Sequence, residues 1–340
     1  MRVFFALAAL AVAAAGGGGW WLLNRPFAPA SGEVLVTVPP GMATRRLAVV
    51  LEQEGVVQRR ELLLAARIFR PKAKLQAGEY RFAKADTPRG VLDRLIRGDI
   101  HYYEVTVREG FNRFEIAALL EAQGLIRGQD FLKVAEDPAP VLDLAPKATS
   151  LEGYLFPDTY RLTRATTAED LARQMHRRFR QVWSNLVPQE GASVHEAVTL
   201  ASLVEKETGA GSERALVASV FANRLARGMK LDCDPTVIYA ALLEGRWRGT
   251  IYRSDLDREH PYNTYRNPGL PPGPIASPGR AALEAALRPA ESNYLFFVAE
   301  PGNSGRHVFS ETMADHDAAV ARYRSAQKQQ EANRQGVLRR

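Results

Sequence analysis

The sequence is nearly devoid of cysteine. Cys233 is the only one in 340 residues, so no intramolecular disulfide and no cysteine-rich zinc site can form. Histidine is sparse as well. His101, His176, His195, His260, His307 and His316 are scattered, with no His-x-x-x-His pair at helical spacing; no metal and no cofactor is therefore expected. No Lys/Arg block interleaves with aromatics in the manner of a nucleic-acid motif, so no nucleic-acid partner is expected. The chain is nonetheless basic, with 45 Lys+Arg against 38 Asp+Glu and a formal net charge of +7. That surplus suits anionic surfaces such as lipid headgroups and cell-wall polymer. Hydrophobic and charged shares of 46% and 24% exclude a disordered chain, and the length accommodates two domains.

One long apolar run is present. Every residue from Val3 to Leu23 is apolar or glycine, which as a helix just crosses a ~30 Å hydrocarbon core. Trp20 and Trp21 sit at its far end, where indoles favour the interface, and Arg25 with Pro26 closes it. Ala-x-Ala patterns around Ala11 to Ala15 offer a cleaved signal peptide as the alternative. The apolar stretch continues past them, so residues 1–25 read as an uncleaved anchor despite the helix-weakening Gly16 to Gly19. Residues 26–32 read as a linker and 326–340 as a basic tail.

Beyond the linker the chain repeats itself. Val36-Thr37-Val38-Pro39-Pro40-Gly41, with Leu47, Leu51 and Gly55, is echoed 69 residues later by Val105-Thr106-Val107-Arg108-Glu109-Gly110, with Ile116, Leu120 and Gly124. Tyr80-Arg81-Phe82 with Thr87 is echoed at an offset of 80 by Tyr160-Arg161-Leu162 with Thr167. The second copy thus carries an insertion between Ile126 and Tyr160, inside or beside which falls Ser150-Leu151-Glu152-Gly153-Tyr154-Leu155-Phe156-Pro157-Asp158. Each copy predicts an alternating strand, a glycine turn and a helix stopped by glycine. The strand, helix, helix, strand order of the first copy resembles the glycan-binding LysM module. The same pattern also suits a compact α+β unit that only positions the remainder of the chain.

Unusual local choices concentrate from Gln189 onward. His195 to Thr208 reads as an apolar helix ending in Glu205-Lys206-Glu207. Ser212 reads as the cap of a second helix, Glu213 to Arg227, stopped by Gly228. A carboxyl in the last turn of an apolar helix meets both desolvation and an unfavourable dipole. Both push its pKa upward, as a general acid requires. Glu205 and Glu207 are two residues apart and point to nearly opposite sides, so they do not act as a pair, and helical geometry leaves the choice between them open. A frayed, solvated helix end with Lys206 as counter-ion is the plain alternative. Asp232-Cys233-Asp234-Pro235-Thr236-Val237-Ile238-Tyr239, His260-Pro261-Tyr262-Asn263-Thr264-Tyr265 and Gly269 to Gly279 are rigid loops. Their Tyr, Asn and Thr side chains can stack on or bond to sugars, and equally serve as turn chemistry. Ser277 and Pro278 then start a helix to Leu287, Tyr294 to Ala299 and His307 to Phe309 form a hairpin, and a last helix begins at Thr312, with His316 packed rather than catalytic.

These segments together resemble the endolytic murein transglycosylases of the MltG type (YceG-like). The carriers are Leu151-Glu152-Gly153-Tyr154-Leu155-Phe156-Pro157-Asp158-Thr159-Tyr160, Ala201-Ser202-Leu203-Val204-Glu205-Lys206-Glu207-Thr208, Ser212-Glu213-Arg214, Asn223-Arg224-Leu225, Asp234-Pro235-Thr236-Val237-Ile238-Tyr239, Tyr262-Asn263-Thr264-Tyr265, Gly269-Leu270-Pro271-Pro272 and His307-Val308-Phe309. The resemblance implies an α+β chain with an N-terminal transmembrane helix, a LysM-like subdomain (residues 33–100) and a mixed α+β catalytic domain (residues 101–325). It further implies a single-pass protein of the bacterial inner (cytoplasmic) membrane whose catalytic part lies outside the cytoplasm and cuts peptidoglycan glycan strands non-hydrolytically. Peptidoglycan synthases are the implied protein partners. The family's catalytic Glu falls on Glu205, and Asp234, Asn263 and Tyr265 are the expected sugar-holding residues. Cys233 departs from the threonine common there. A hydrolytic muramidase, with Glu152, Glu213 or Asp234 as second carboxylate, and a non-catalytic glycan-binding tether for synthases are the competing expectations.

Overall fold

The computed structural model describes residues 2–29, 32–186, 193–302 and 304–338. It is a mixed α+β chain in which helices predominate and the strands form three two-stranded sheets among the described residues. The chain divides into two compact units, residues 1–104 with 161–165, and residues 105–160 with 166–340.

In the first unit, α1 (Arg2–Asn24) precedes β1 (Val34–Val38), α2 (Thr44–Gln53), α3 (Arg60–Ile68), β2 (Gly78–Phe82) and α4 (Pro88–Arg97). The alternation in β1 does what its period of two dictates: Val34, Val36 and Val38 are buried while Leu35 and Thr37 face out. β1 and β2 pair antiparallel, Val34 opposite Phe82 and Val38 opposite Gly78. Against them lie Leu47, Leu51, Leu63, Val91, Leu92 and Leu95, all essentially inaccessible. Each such side chain contributes about 1.5–3 kcal/mol by leaving water. Thr87 caps α4 by accepting from the Gly90 N–H at 2.9 Å. Among the described residues, no helix is long and apolar enough to cross a membrane; much of the apolar run from Val3 falls on residues whose side chains lie outside that description.

The echo of the first copy follows, its two strands divided between the units and its helices lying within the second. β3 (Tyr103–Thr106), α5 (Arg113–Ala122), α6 (Gly128–Ala135), β4 (Thr159–Leu162) and α7 (Ala168–Ser184) follow in the same order, with β3 paired to β4. The copies share physical devices as well as order. Gly41 and Gly110 both take the left-handed conformation, at φ +76° and +78°, which an L side chain rarely adopts. Tyr80 and Tyr160 each donate their hydroxyl to the carbonyl four residues earlier. Thr167 caps α7 as Thr87 caps α4, here in a reciprocal capping box with Asp170. The inserted segment holds Ser150 to Asp158, most of it buried.

After α7 come α8 (Val194–Glu207), α9 (Arg214–Ala226), α10 (Asp234–Leu243), α11 (Arg253–Leu256), α12 (Arg280–Leu287), the hairpin β5 (Phe296–Ala299) with β6 (His307–Ser310), and α13 (Met313–Leu338). Ser193 caps α8 through the Glu196 N–H. Val198, Leu200, Ala201, Leu203 and Val204 are buried almost around its whole circumference, which marks a helix at the centre of its unit rather than on its surface. Ser212 does not cap the next helix. It lies inside a 3-10 turn (Gly211–Glu213) that feeds α9 without a side-chain cap. Glu213 is drawn away to the hairpin, where it accepts from the His307 N–H and from His307 Nδ1 at 2.9 Å. His316 stacks on Phe296 at 5.2 Å, the packed role expected for it.

Candidate active site

One face of α8 is stitched to the Gly269 to Gly279 loop at three points. His195 Nε2 lies 2.8 Å from the Pro272 carbonyl, which can only accept, so the ring donates there. Its Nδ1 lies 2.9 Å from the Tyr154 hydroxyl, so both ring nitrogens are engaged. Two turns further along, Ser202 Oγ accepts from the Ile275 N–H at 3.1 Å while donating to Thr199 O. The third stitch is Glu205, whose Oε2 accepts from the Gly279 N–H at 2.9 Å. Positions 195, 202 and 205 share a face because seven and three residues are near-integral numbers of turns. The proline- and glycine-rich loop is thus the clamp that holds Glu205.

The other oxygen of Glu205, Oε1, accepts from Arg214 Nη2 at 3.0 Å, and the Glu205 side chain is only 5% exposed. This is no frayed helix end. Arg214 also reaches Glu109, with Nη2 3.6 Å from Oε2, so a single guanidinium serves two carboxylates. Glu109 is half-exposed. Its pKa is raised, first by burial and then by the neighbouring charge of Glu205, with Arg214 opposing both. Gly279 permits this approach, since a Cβ there would overlap the Glu109 carboxyl. Gly110 lies on the other side of Glu205, where its φ of +78° rather than lack of space favours glycine. Lys206 turns away to donate to Gly110 O at 3.1 Å. Glu109 was absent from the expected site residues. Its signal lay in the repeat, where the first copy has Pro40 at the matching position.

The opposite face of α8 carries Glu207 in a different setting. Burial raises its pKa, while Cys233 Sγ donates to Oε1 at 3.2 Å. The Cys233 thiol is itself buried and held well above its ordinary range, first by burial and then by Glu207, which makes it a poor nucleophile. A cavity of about 410 Å³ opens beside Glu207, lined also by Asp234, Tyr265, Phe296 and Phe297. Tyr265 donates its hydroxyl to Asp234 Oδ1 at 2.6 Å. Thr236 and Thr264 bring those loops together: Thr264 Oγ1 accepts from the Cys233 N–H at 3.0 Å and meets Thr236 Oγ1 at 2.9 Å.

Of the four residues expected at the site, Asp234 and Tyr265 therefore share a cavity wall and Glu205 stands on the other side of α8. No hydrogen bond or ion pair joins them to Glu205 among the described residues. Asn263 is spent on the backbone. It is 1% exposed, its Nδ2 donates to Leu256 O at 3.0 Å and Arg258 O at 2.7 Å, and its Oδ1 accepts from the Tyr265 N–H. Burial with every polar atom engaged gives it the work of shaping the loop that presents Tyr265, and leaves it nothing for a sugar.

None of the three carboxylates weighed as partners for Glu205 touches it. Glu213 belongs to His307 and Asp234 to Tyr265. Glu152 is fully buried, accepting from the Tyr239 hydroxyl at 3.0 Å and the Arg113 N–H at 3.1 Å. Desolvation lifts its pKa to about 7. Among the described residues, no group of three or more His, Cys, Asp and Glu is placed to hold a metal ion.

The chain belongs to the YceG-like family, whose family model matches residues 36–322. It is 30% identical over 315 residues to the endolytic murein transglycosylase of Bacillus subtilis (strain 168), spanning 87% of this chain and 86% of that one. It is 30% identical to the endolytic murein transglycosylase of Streptococcus pneumoniae (strain R6), covering 85% of this chain but only 58% of the relative's length. A crystal structure of a YceG-like protein from Listeria monocytogenes superposes with a TM-score of 0.54 at 30% identity, covering 84% of this chain and 98% of that one.

Proposed function

We propose that the protein is an endolytic murein transglycosylase, a lyase that cuts inside peptidoglycan glycan strands, and that Glu205 is its acid and base. Hydrolytic glycosidases ordinarily use two carboxyl groups, one as acid and one as base or nucleophile. A lytic enzyme needs one, because the sugar supplies its own nucleophile. Glu205, protonated, gives its proton to the O4 of N-acetylglucosamine as the bond to C1 of N-acetylmuramic acid breaks. The neighbouring acetamido group supports the positive charge that grows at C1. The muramoyl O6 then bonds to C1, closing a 1,6-anhydro ring, and its proton passes to Glu205. Atoms balance without water, and the acid is regenerated.

The observation that supports this reading best is the hold on Glu205. A side chain 5% exposed, with one oxygen on Arg214 and the other on the Gly279 N–H, is fixed in position, which is what preorganisation requires. Asp234 and Tyr265 hold sugar units along the strand, and Asn263 acts through the loop that carries Tyr265. The strand, helix, helix, strand order of the first unit, β1, α2, α3, β2, suits a LysM-like glycan-binding role. We also read α1 as a single-pass anchor, on its run of apolar and glycine residues from Val3 to Leu23 and on Trp20 and Trp21 at its end. The catalytic unit then lies outside the cytoplasm, beside the synthases that extend the strands. Mass spectrometry of the products from purified peptidoglycan tests the reading. Anhydro-muramoyl ends from the unmodified protein, lost in Glu205→Gln, are expected; reducing muramoyl ends identify a hydrolase, and uncut strands a tether.

A further inference from the structure

The first unit carries an apolar tip that its own core does not use. α3 ends at Ile68, and the chain continues Phe69-Arg70-Pro71-Lys72-Ala73-Lys74. This turn is built rather than loose. Arg67 Nη1 donates to Arg70 O at 2.9 Å and Nη2 to Ala73 O at 2.5 Å, while the Arg70 N–H returns to Arg67 O at 2.9 Å. The tied turn nevertheless points Ile68 and Phe69 outward, each 74% exposed, the most exposed large apolar side chains outside α1 among the described residues. Isolated exposed hydrophobics need no explanation, but a pair at the tip of a hydrogen-bonded turn, rimmed by charge, marks an interaction surface.

The rim is of one sign. Arg67, Arg70, Lys72 and Lys74 lie within the turn and Arg89 beside it. The one acid at the cleft, Asp93, is taken by Arg70 at 3.7 Å. A mostly apolar cleft of about 590 Å³ runs from Ile68 and Phe69 to Trp20 and Leu23 of α1. Trp20 and Trp21 are themselves 67% and 54% exposed. Apolar tip, cationic rim and the Trp20 indole are thus continuous on one edge of this unit. That sequence, hydrocarbon first and cations behind it, is the order of polarity met on entering a bilayer whose phosphates are anionic.

We infer that this edge is a second membrane contact. Ile68 and Phe69 dip beside Trp20 into the outer surface of an anionic phospholipid bilayer, and Lys72, Lys74 and Arg89 sit on its phosphates. The inference rests on the reading of α1 as an anchor. It adds a lipid contact to the Phe27–Asp86 backbone bridge that already ties the chain after α1 to the first unit.

Spin labels on the full chain test it, because the buried Cys233 stays unlabelled. Nitroxides are placed singly at Ile68→Cys, which keeps Phe69, and at Trp20→Cys, in bilayers containing phosphatidylglycerol. Collision with oxygen, which partitions into lipid, is compared with collision with a water-soluble nickel complex. Both labels are expected to favour oxygen, and Lys72→Gln with Lys74→Gln to shift the Ile68→Cys label toward nickel while leaving the label at 20 unmoved. A label at 68 open to nickel while that at 20 favours oxygen overturns the inference and spares the anchor. Shielding of 68 from both reagents overturns it in favour of a protein partner. Nickel access at both positions sinks the anchor reading itself.

Discussion

Two carboxylates sit two residues apart on α8 and live in opposite chemical worlds. Glu205 faces donors that cannot accept, Arg214 and the Gly279 N–H. Glu207 faces a thiol, the nearby charge of Asp234 and a cavity with aromatic walls. Same helix, same last turn, same residue type: the difference arises from what other segments bring. The comparison teaches that position on a helix nominates a catalytic acid, while the partners supplied from far along the chain decide which nominee is held for use.

The comparison breaks most decisively if the two amides behave alike. Glu205→Gln is expected to lower the rate of strand cleavage by about 10²–10⁴-fold, the usual share of a positioned acid–base group. Glu207→Gln should cost less than about tenfold, because its partners are structural. Initial rates on purified glycan strands, with circular dichroism melts to confirm folding, measure both.

Next in size is Arg214. Replacing it with methionine leaves Glu205 without its ion-pair partner in a buried place, a loss on the order of 3 kcal/mol in stability. The rate should fall as well, and Arg214→Lys should restore only part of it, since a lysine ammonium lacks the reach and rigid planar geometry that bring Arg214 Nη2 to both Glu205 and Glu109. Full rescue by lysine would mean that charge alone matters there.

A third buried carboxylate calibrates the pair. Glu152 titrates at about 7 when folded against 4.5 for the free group. Between those values the folded state binds more protons than the unfolded state, so this group makes stability fall as pH rises from about 4.5 to 7 and contributes no further slope above. The full drop is about 3 kcal/mol. Chemical denaturation of Glu152→Gln at pH 5 and pH 8 should show that component of the slope removed. An unchanged slope would show that Glu152 does not titrate in this window.

The smallest effect is expected at Glu109. It shares Arg214 with Glu205, but the proposed chemistry asks nothing of a second carboxylate. Glu109→Gln should leave product identity unaltered and alter the rate by less than about tenfold, mainly through the shape of its pH profile. A switch from anhydro ends to reducing ends, in either direction, would show Glu109 to be a hydrolytic partner.

Legibility in the sequence is uneven. The repeat was legible because its devices are local: the Thr87 and Thr167 caps and the Tyr80 and Tyr160 hydroxyl bonds each span four residues or fewer. The last-turn position of Glu205 and Glu207 was legible for the same reason. Choosing between them from the chain alone took the family resemblance, because Arg214, Gly279 and Glu109 lie 9, 74 and 96 residues from Glu205 in the chain. Local logic also erred. Ser212 has the right chemistry for a cap but sits in a 3-10 turn, since Glu213 is pulled to His307. Asn263 looked free to bind sugar, yet three loop carbonyls of residues 255, 256 and 258 claim its amide.

The decisive question is whether water enters the product. Purified strands digested in ¹⁸O-enriched water should yield muramoyl ends that carry no heavy oxygen and lack the mass of one water, as ring closure through O6 demands. Heavy oxygen incorporated at the newly formed muramoyl C1 would show that solvent, not the sugar's own hydroxyl, completes the cut, and would contradict the single-carboxylate reading of Glu205.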